Sequence, residues 1–400
     1  MKRVLTYLYI SCGLSIVAGL VFRLLHFGLP QKVVFDEVYF PVFANDMLHG
    51  QIDFDAHPPL GKAIMAIGIK LFGFNYFGDR IVVLLFGLGL IALLYFLGRR
   101  YYESQIGGLL MATFAALDCM LIVYSRLGLM DRILLFFVFA NFLMSLKATK
   151  TWHFIVLGLL LGACPSIKWL AIAVIVPVAY VLWRRKFLIQ FIAVLPLAVM
   201  VYCATIFAGG MLQHSQSLWD YFVWWHTSVW GYETTLKATH PWGSVWWTWP
   251  FMNRPLLMMR DTNPNGSQDV INAIGNPLLW YASGVAVLLS IGEIIADLWR
   301  RRPVLDNPTV PLLLGWGTFL FGWIPVTRVL FIYHYLPSYG FALMLLVYWL
   351  LRLWKVRPWL VILFVLVALA LTCFFYPELV GWIPLTPHEL QMRVWATGWI

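Results

Sequence analysis

Long apolar runs, separated by short charged segments, constrain this 400-residue chain more than any other feature of its sequence. A helix that crosses a bilayer needs about 20 predominantly apolar residues, and such runs recur along the whole chain. Only 12% of the residues are charged and 62% are hydrophobic, which leaves too little polar surface for a water-soluble globule of this size. We therefore predict an all-α, polytopic membrane protein, and we disfavour the soluble, fibrous and disordered classes.

We predict about eleven transmembrane helices, with the N-terminus in the cytoplasm and the C-terminus outside. Residues 153–183 are interrupted by Pro165 and flanked on both sides by basic residues, so the positive-inside rule favours two crossings there. Residues 62–74 are too short to span the bilayer, and we predict an interfacial helix. The other predicted spans are 5–25, 81–98, 106–124, 128–146, 188–208, 277–297, 310–324, 338–351 and 358–376.

The basic residues are distributed unevenly over this predicted topology. The sequence has 28 Lys and Arg residues against 18 Asp and Glu, a net charge of +10. Fifteen basic residues and four acids fall in segments predicted to be cytoplasmic, and the other 13 basic residues share the outer side with 14 acids. The excess charge is therefore a topology signal. We expect membrane lipids around the protein and no nucleic-acid partner.

The polar segments divide the chain into three parts. Residues 1–208 form a predicted N-terminal transmembrane module, which contains the first outer loop, 28–80. Residues 209–276 form an outer loop rich in Trp, and residues 277–400 form a C-terminal transmembrane region. Carboxylates, imidazoles and cations accumulate in the outer loops. Because ionisable groups at membrane depth indicate function by default, we predict an extracytoplasmic active site.

The sequence offers no pattern typical of a metal or cofactor site. The five cysteines lie in or beside apolar runs and form no CxxC motif, so they are interpreted as small hydrophobic residues. His49, His226 and His240 have no helical metal-ligand spacing. The Trp-rich segments are typical of membrane interfaces, and contact with a sugar or an acceptor is the alternative. We expect neither a metal nor a cofactor.

An acidic pair, Asp36 and Glu37, follows the first predicted span between apolar and aromatic neighbours. One interpretation is a pair at a helix N-terminus, where the helix dipole favours negative charge. The other is catalytic, because a carboxylate within reach of a hydroxyl is a general base. We name both residues as catalytic candidates.

The segment from His57 to Lys62, HPPLGK, carries the next candidate residues. Its two prolines predict an extended entry that stops where a helix begins, since proline is tolerated in a first helical turn. Lys62 then lies in that turn and opposes the helix dipole, which points to a bound anion. Snorkelling of the lysine to the membrane interface is the alternative.

Three arginines, Arg80, Arg126 and Arg328, lie at predicted outer helix ends, on the side that carries few basic residues. Guanidinium groups bind phosphate through paired hydrogen bonds, so all three are candidate ligands of an anionic substrate. Interfacial anchoring is the alternative for each of them. A structural pair between Arg126 and Asp131 is a further alternative.

Ordered motifs extend over nearly the whole chain, and together they resemble the protein O-mannosyltransferase family. The second half agrees with the C-terminal four-helix region of that family. The motifs are DEVYF (36–40), HPPLGK (57–62), SRLGLMDRILLFF (125–137), PSIKW (165–169), THPWGSVWWTWP (239–250), NRP (253–255), GNPLLWY (275–281) and RVLFIYHYLP (328–337).

The resemblance implies the GT-C fold of membrane glycosyltransferases, commonly with eleven crossings. Members take mannose from a polyprenyl phosphate and transfer it, with inversion, to Ser or Thr of secreted proteins. The expected partners are thus a lipid-linked sugar donor and a hydroxyl-bearing acceptor. By this resemblance Asp36 and Glu37 are the catalytic acids. The expected donor-phosphate and substrate residues are His57, Lys62, Arg80, Arg126, Arg328, His334 and Tyr335.

Two departures separate the chain from the eukaryotic members of that family. Loop 209–276 has no room for their β-trefoil MIR domain, and loop 28–80 is shorter than theirs. The resemblance is therefore to a bacterial-type member in a plasma (inner) membrane. Transfer of another sugar to a lipid or an envelope glycan remains an alternative. A transporter or flippase of an anionic lipid or solute is the alternative of a different class.

Overall fold

The computed structural model describes residues 2–51 and 54–399, and most of these residues are helical. Its α-helices are α1 Lys2–Leu24, α2 Phe40–Leu48, α3 Leu60–Phe72, α4 Tyr76–Tyr101, α5 Gln105–Leu117, α6 Cys119–Arg126, α7 Asp131–Lys147, α8 Thr151–Ala163, α9 Ile175–Arg184, α10 Leu188–Leu212, α11 Leu218–Thr235, α12 Pro277–Trp299, α13 Val310–Phe321, α14 Leu336–Val356, α15 Pro358–Phe375, α16 Pro377–Val380 and α17 Pro387–Gln391. Its strands are β1 Leu256–Thr262 and β2 Gln268–Ala273. Short 3₁₀ turns include Phe35–Val38, Trp169–Val174, Trp246–Phe251 and Ile332–Tyr335.

In the part of the chain that the structure describes, six helical segments are long and apolar enough to cross a membrane: α1, α4, α10, α12, α15 and Ile332–Val356. Helices α5 and α6 would count as a seventh span if the pair, which bends by 63°, crosses once. The segments Thr151–Ala163, Trp169–Arg184 and Val310–Phe321 are apolar but shorter. A 13-residue helix is only about 20 Å long, against a hydrocarbon core of about 30 Å. The protein is thus a multi-pass membrane protein, and the predicted count of eleven crossings is not confirmed.

The helices pack into one body around α4 and α14. Helix α4 contacts α3, α5 and α7, while α14 packs between α12 and α13. Helix α14 is buried along most of its length, whereas α10 packs on α8 and leaves most of its apolar surface exposed. A helix that is apolar all round and exposed is expected where its surroundings are lipid.

Two local predictions from the sequence are confirmed. Helix α3 begins at Leu60, directly after the two prolines, and Lys62 lies in its first turn. The stretch 153–183 is divided at residues 164–168, between α8 and the 3₁₀ turn that leads into α9. Residues 62–74 are largely helical as expected, and their position at the membrane interface stays a prediction.

The segment 209–276 is not the loop that the sequence suggested, and the fold is not purely helical. It contains helix α11 and an antiparallel hairpin of β1 and β2, with a bulge between Leu257 and Met259. The turn residues Asn265 and Gly266 join the strands, and such residues are typical of hairpin turns. Strand β2 also bridges to Leu385, which ties the hairpin to the C-terminal segment.

Candidate active site

The Asp36 side chain is presented by a strained 3₁₀ turn, Phe35–Val38. Phe35 has φ +51°, in the left-handed region. A non-glycine residue held there costs about 1–3 kcal/mol and persists only where the surrounding structure fixes it. The turn lies between the end of α1 and the start of α2, so its conformation decides where the Asp36 carboxylate points.

Glu37 and Arg80 fix this turn through a buried ion pair. Glu37 Oε1 accepts from Arg80 Nε at 2.7 Å and from the Gly128 amide at 2.7 Å, and Oε2 accepts from Arg80 Nη2 at 2.7 Å and from the Val34 amide at 3.0 Å. The remaining Arg80 N–H groups donate to backbone carbonyls of the segment 28–32. Every donor of this fully buried arginine is therefore used inside the protein.

Burial raises the pKa of Asp36 to about 7. Lys168 opposes this rise, Asp131 and Asp55 add to it, and Arg328 opposes it weakly. A carboxyl group with a pKa near the working pH is suited to accept a proton from a hydroxyl. Glu37, whose two oxygens already accept four hydrogen bonds, is not free to do so.

A cavity of about 470 Å³ borders the Asp36 turn. Asp36 is not among the residues that line it, but the turn meets the cavity wall where the Phe35 ring stands edge-on to Tyr333, with centroids 6.2 Å apart. The walls are mainly aromatic and aliphatic, and the polar groups are few, which is the usual composition of a ligand site. The polar and aromatic lining residues are His57, Asp131, Lys168, Trp169, Trp230, Glu233, Thr234, Phe319, Trp323, Thr327, Arg328, Tyr333 and His334.

Two ion pairs supply the charge in this cavity. Lys168 Nζ donates to Asp131 Oδ1 at 2.7 Å, and it also lies over the Tyr333 ring at 5.3 Å. Arg328 Nε donates to Glu233 Oε2 at 2.5 Å. The first pair joins α7 to the break before α9, and the second joins the end of α11 to the segment before α14.

Two imidazoles complete the polar lining. Burial lowers the pKa of His57 well below its ordinary value, and the nearby Lys168 lowers it further, so His57 is neutral at pH 7. His334 Nδ1 lies 2.9 Å from the Phe331 carbonyl and its ring stacks on Tyr333, with centroids 4.3 Å apart. The cavity thus combines neutral rings with paired charges.

Family models match nearly the whole length of the chain. The models described as "C-terminal four TMM region of protein-O-mannosyltransferase" and "Dolichyl-phosphate-mannose-protein mannosyltransferase" match residues 218–399 and 56–208, and a second model with the latter description matches residues 13–79. The chain belongs to the protein O-mannosyltransferase family.

Relatives in this family include the polyprenol-phosphate-mannose–protein mannosyltransferase of Mycobacterium tuberculosis, which is 25% identical over 98% of this chain and 92% of its own length. Among solved structures, the Saccharomyces cerevisiae protein O-mannosyltransferase Pmt1-Pmt2 complex bound to the sugar donor aligns with a TM-score of 0.87 and 15% identity, covering 98% of this chain and 92% of that one. ArnT from Cupriavidus metallidurans bound to undecaprenyl phosphate aligns at 0.53 and 15%, covering 98% and 78%. The fold is therefore the GT-C fold.

The structure brings only some of the predicted site residues of this family member to the cavity. His57, Arg328 and His334 line it, and Asp36 borders it. Lys62 lies behind it, buried, where its ammonium group pairs with Asp55 and donates to the His57 carbonyl at 2.8 Å. Asp55 was not among the predicted site residues; it lies two residues before the HPPLGK motif and seven before Lys62.

Arg80, Arg126 and Tyr335 lie away from the cavity. Arg126 donates to four backbone carbonyls at residues 22–26, so it caps the end of α1. The suggested pair between Arg126 and Asp131 is wrong, because Asp131 pairs with Lys168. Tyr335 accepts a hydrogen bond from Trp316 at 2.9 Å inside the helix bundle, and its neighbour Tyr333 faces the cavity in its place.

Lys168, Asp131, Glu233 and Tyr333 were not among the predicted site residues. The first two lie 37 residues apart and Glu233 lies 95 residues from Arg328, so only the tertiary fold reveals these partners. Within the described residues, no group of three or more His, Cys, Asp or Glu side chains has an arrangement that could hold a metal ion.

Proposed function

We propose that this chain is an inverting glycosyltransferase that moves mannose from a polyprenyl phosphate to a Ser or Thr hydroxyl of an extracytoplasmic protein. The observation that carries the proposal is the Asp36 carboxyl, with a pKa of about 7, beside a cavity that holds Lys168 and Arg328. The Mycobacterium tuberculosis relative is a polyprenol-phosphate-mannose–protein mannosyltransferase, which supports this donor and this acceptor. The donor-bound and undecaprenyl-phosphate-bound proteins of the same fold support a lipid-linked donor.

In this mechanism the acceptor oxygen attacks the anomeric carbon as its proton passes to Asp36. The new carbon–oxygen bond forms while the bond from that carbon to the phosphate oxygen breaks, and polyprenyl phosphate leaves with the electron pair. A single displacement inverts the anomeric centre, so one base is sufficient. General-base help of this kind contributes about 10²–10⁴-fold.

The leaving phosphate gains negative charge as this bond breaks, and the cavity cations are placed to stabilise it. Lys168 and Arg328 line the same cavity from different segments of the chain. Preorganised charge that acts where the transition state develops charge is commonly the largest catalytic term. The neutral imidazole of His57 adds hydrogen-bonding capacity without adding charge, and the His334 ring lines the same cavity.

The other predicted residues act by holding the site in place. Glu37 and Arg80 form a buried frame that sets the direction of Asp36. Lys62 fixes the segment that carries His57, through Asp55 and the His57 carbonyl. Arg126 caps α1, and Tyr335 orders the start of α14.

The proposed topology retains eleven crossings, with the shorter apolar helices α8, α9 and α13 completing the bundle together with α7. The N-terminus lies in the cytoplasm and the cavity faces the outside of a plasma (inner) membrane, as the distribution of basic residues indicates. Residues 1–208 and 277–400 form the two transmembrane parts, and the intervening outer segment 209–276 contributes Trp230 and Glu233 to the cavity.

The test uses purified enzyme, labelled polyprenyl-phosphate mannose and a Ser/Thr-rich peptide, with the same peptide carrying Ala at each Ser and Thr as the control. We expect one hexose on the hydroxyl peptide and none on the control, measured by mass spectrometry. Hexose transfer to a lipid or glycan instead would favour the alternative acceptor. Movement of the donor across a vesicle membrane with no covalent product would favour a flippase over a glycosyltransferase.

A further inference from the structure

The charges that line the cavity cancel in pairs. Lys168 is neutralised by Asp131, and Arg328 is neutralised by Glu233. A sugar phosphodiester brings one negative charge into this lining. The phosphodiester can pair with Lys168 or Arg328 only if that side chain first breaks its ion pair with its own carboxylate.

The two pairs differ in how firmly they are held. The Lys168 and Asp131 side chains are each 10% exposed, and the lysine has two aromatic rings, Phe40 and Tyr333, within 6 Å of its ammonium group. Arg328 is 13% exposed and Glu233 is 23% exposed. Besides its bond to Glu233, the Arg328 guanidinium donates a hydrogen bond to the carbonyl of its chain neighbour Val329, at 3.3 Å. The Arg328–Glu233 pair is the more exposed of the two, and it is therefore the ion pair that opens at lower cost.

The position of Glu233 gives a second, independent indication. Glu233 lies in the last turn of helix α11, which ends at Thr235. A carboxylate there faces the negative end of the helix dipole, which is unfavourable. Its position is thus supported by Arg328 rather than by its own helix.

We propose that Glu233 is a positioning residue that competes with the donor phosphate for Arg328. This inference rests on the proposed function. In the empty cavity Glu233 holds the Arg328 guanidinium; when the lipid phosphate binds, Arg328 turns to the phosphate and Glu233 is released toward the cavity mouth. After transfer, when the leaving polyprenyl phosphate carries an additional negative charge, the return of Glu233 to Arg328 promotes product release.

The chain offers a matched control for this proposal. Glu293 pairs with Arg352 at 2.6 Å, and its side chain is 21% exposed, close to the value for Glu233. The pair joins α12 to the far part of α14, and neither residue lines the cavity. Glu293→Gln therefore removes a carboxylate of similar exposure without touching the proposed site, from a pair whose arginine is 50% exposed against 13% for Arg328.

The experiment measures binding of undecaprenyl phosphate to purified protein, with uncharged undecaprenol as the second probe. Because the competing carboxylate is gone, Glu233→Gln is expected to bind undecaprenyl phosphate about tenfold more tightly, with undecaprenol binding unchanged. Glu293→Gln is expected to match the wild type with both probes. In transfer assays Glu233→Gln is expected to lower the KM for the donor and to lower kcat, because product release becomes slower.

Equal or weaker phosphate binding by folded Glu233→Gln would overturn the proposal, and so would a gain of the same size for undecaprenol. If Glu233→Gln does not fold, Glu233→Asp is the second variant. Its carboxylate is one methylene shorter and is expected to give a smaller gain in the same direction. If the wild type does not bind undecaprenyl phosphate at all, both the proposed function and this inference are wrong. If the wild type binds it and the variant shows no gain in affinity, only this inference is wrong.

Discussion

Changing Glu37 to Gln tests the frame that holds the Asp36 turn. The substitution keeps the shape of the side chain and replaces one carboxylate oxygen with an NH₂ group. In the structure each oxygen accepts two hydrogen bonds, so the new amide nitrogen faces two donors, either from Arg80 and Val34 or from Arg80 and Gly128. Arg80, fully buried, also loses its charge partner. Breaking a buried ion pair by neutralising one partner costs about 3–5 kcal/mol.

The assay is thermal unfolding of purified protein in detergent, with transfer activity measured well below the melting temperature. We expect a clear fall in melting temperature, and a fall in kcat that persists where the variant is folded, because the strained Phe35 turn loses its support. Glu103→Gln is the control, since Glu103 forms an exposed pair with Arg100 at 3.8 Å and exposed pairs contribute about 0–1 kcal/mol. Melting temperatures that match between the two variants would refute the reasoning.

Three further predictions concern protonation and the residues placed away from the cavity. Because Asp36 must be deprotonated to act and its pKa is about 7, kcat/KM is expected to fall about tenfold from pH 8 to pH 6; a profile that stays flat in initial-rate measurements would contradict this. Arg126→Gln is expected to destabilise the protein by about 2–4 kcal/mol, since it removes hydrogen bonds to the end of α1, while the KM for the donor stays unchanged. Tyr335→Phe removes one buried hydrogen bond and is expected to cost about 1 kcal/mol in chemical denaturation, with transfer rates close to wild type.

The sequence was sufficient for the helical membrane class and for several local features. The two prolines of HPPLGK predicted the helix start that the structure has at Leu60, and Pro165 marked the interruption of the stretch 153–183. Both features are determined by residues that are adjacent in the chain, and such local effects can be predicted from a sequence pattern. The hairpin of β1 and β2 was missed because the Trp-rich composition around it indicated an interfacial loop, although Asn265 and Gly266 carry a turn signal.

The partners of the charged residues could not be predicted in the same way. The sequence predicts that Arg80, Arg126 and Arg328 lie at outer helix ends, but an arginine that binds a ligand and one that binds backbone carbonyls look alike in sequence. Tertiary packing decides between them. Arg80 donates its hydrogen bonds to Glu37 and to backbone carbonyls, and Arg126 donates to backbone carbonyls. Arg328 instead lines the cavity. Glu233 carried no comparable signal, because its place in the last turn of α11 is known only from the structure.

The most direct test of the central claim is single-turnover transfer by Asp36→Asn with polyprenyl-phosphate mannose already bound. Asparagine keeps the size of the side chain but cannot accept the proton, so donor binding is expected to remain close to wild type while the transfer rate falls about 10²–10⁴-fold. The acidic limb of the pH profile is expected to disappear with it. A variant that binds donor and transfers mannose at nearly the wild-type rate would contradict the role of Asp36 as the general base.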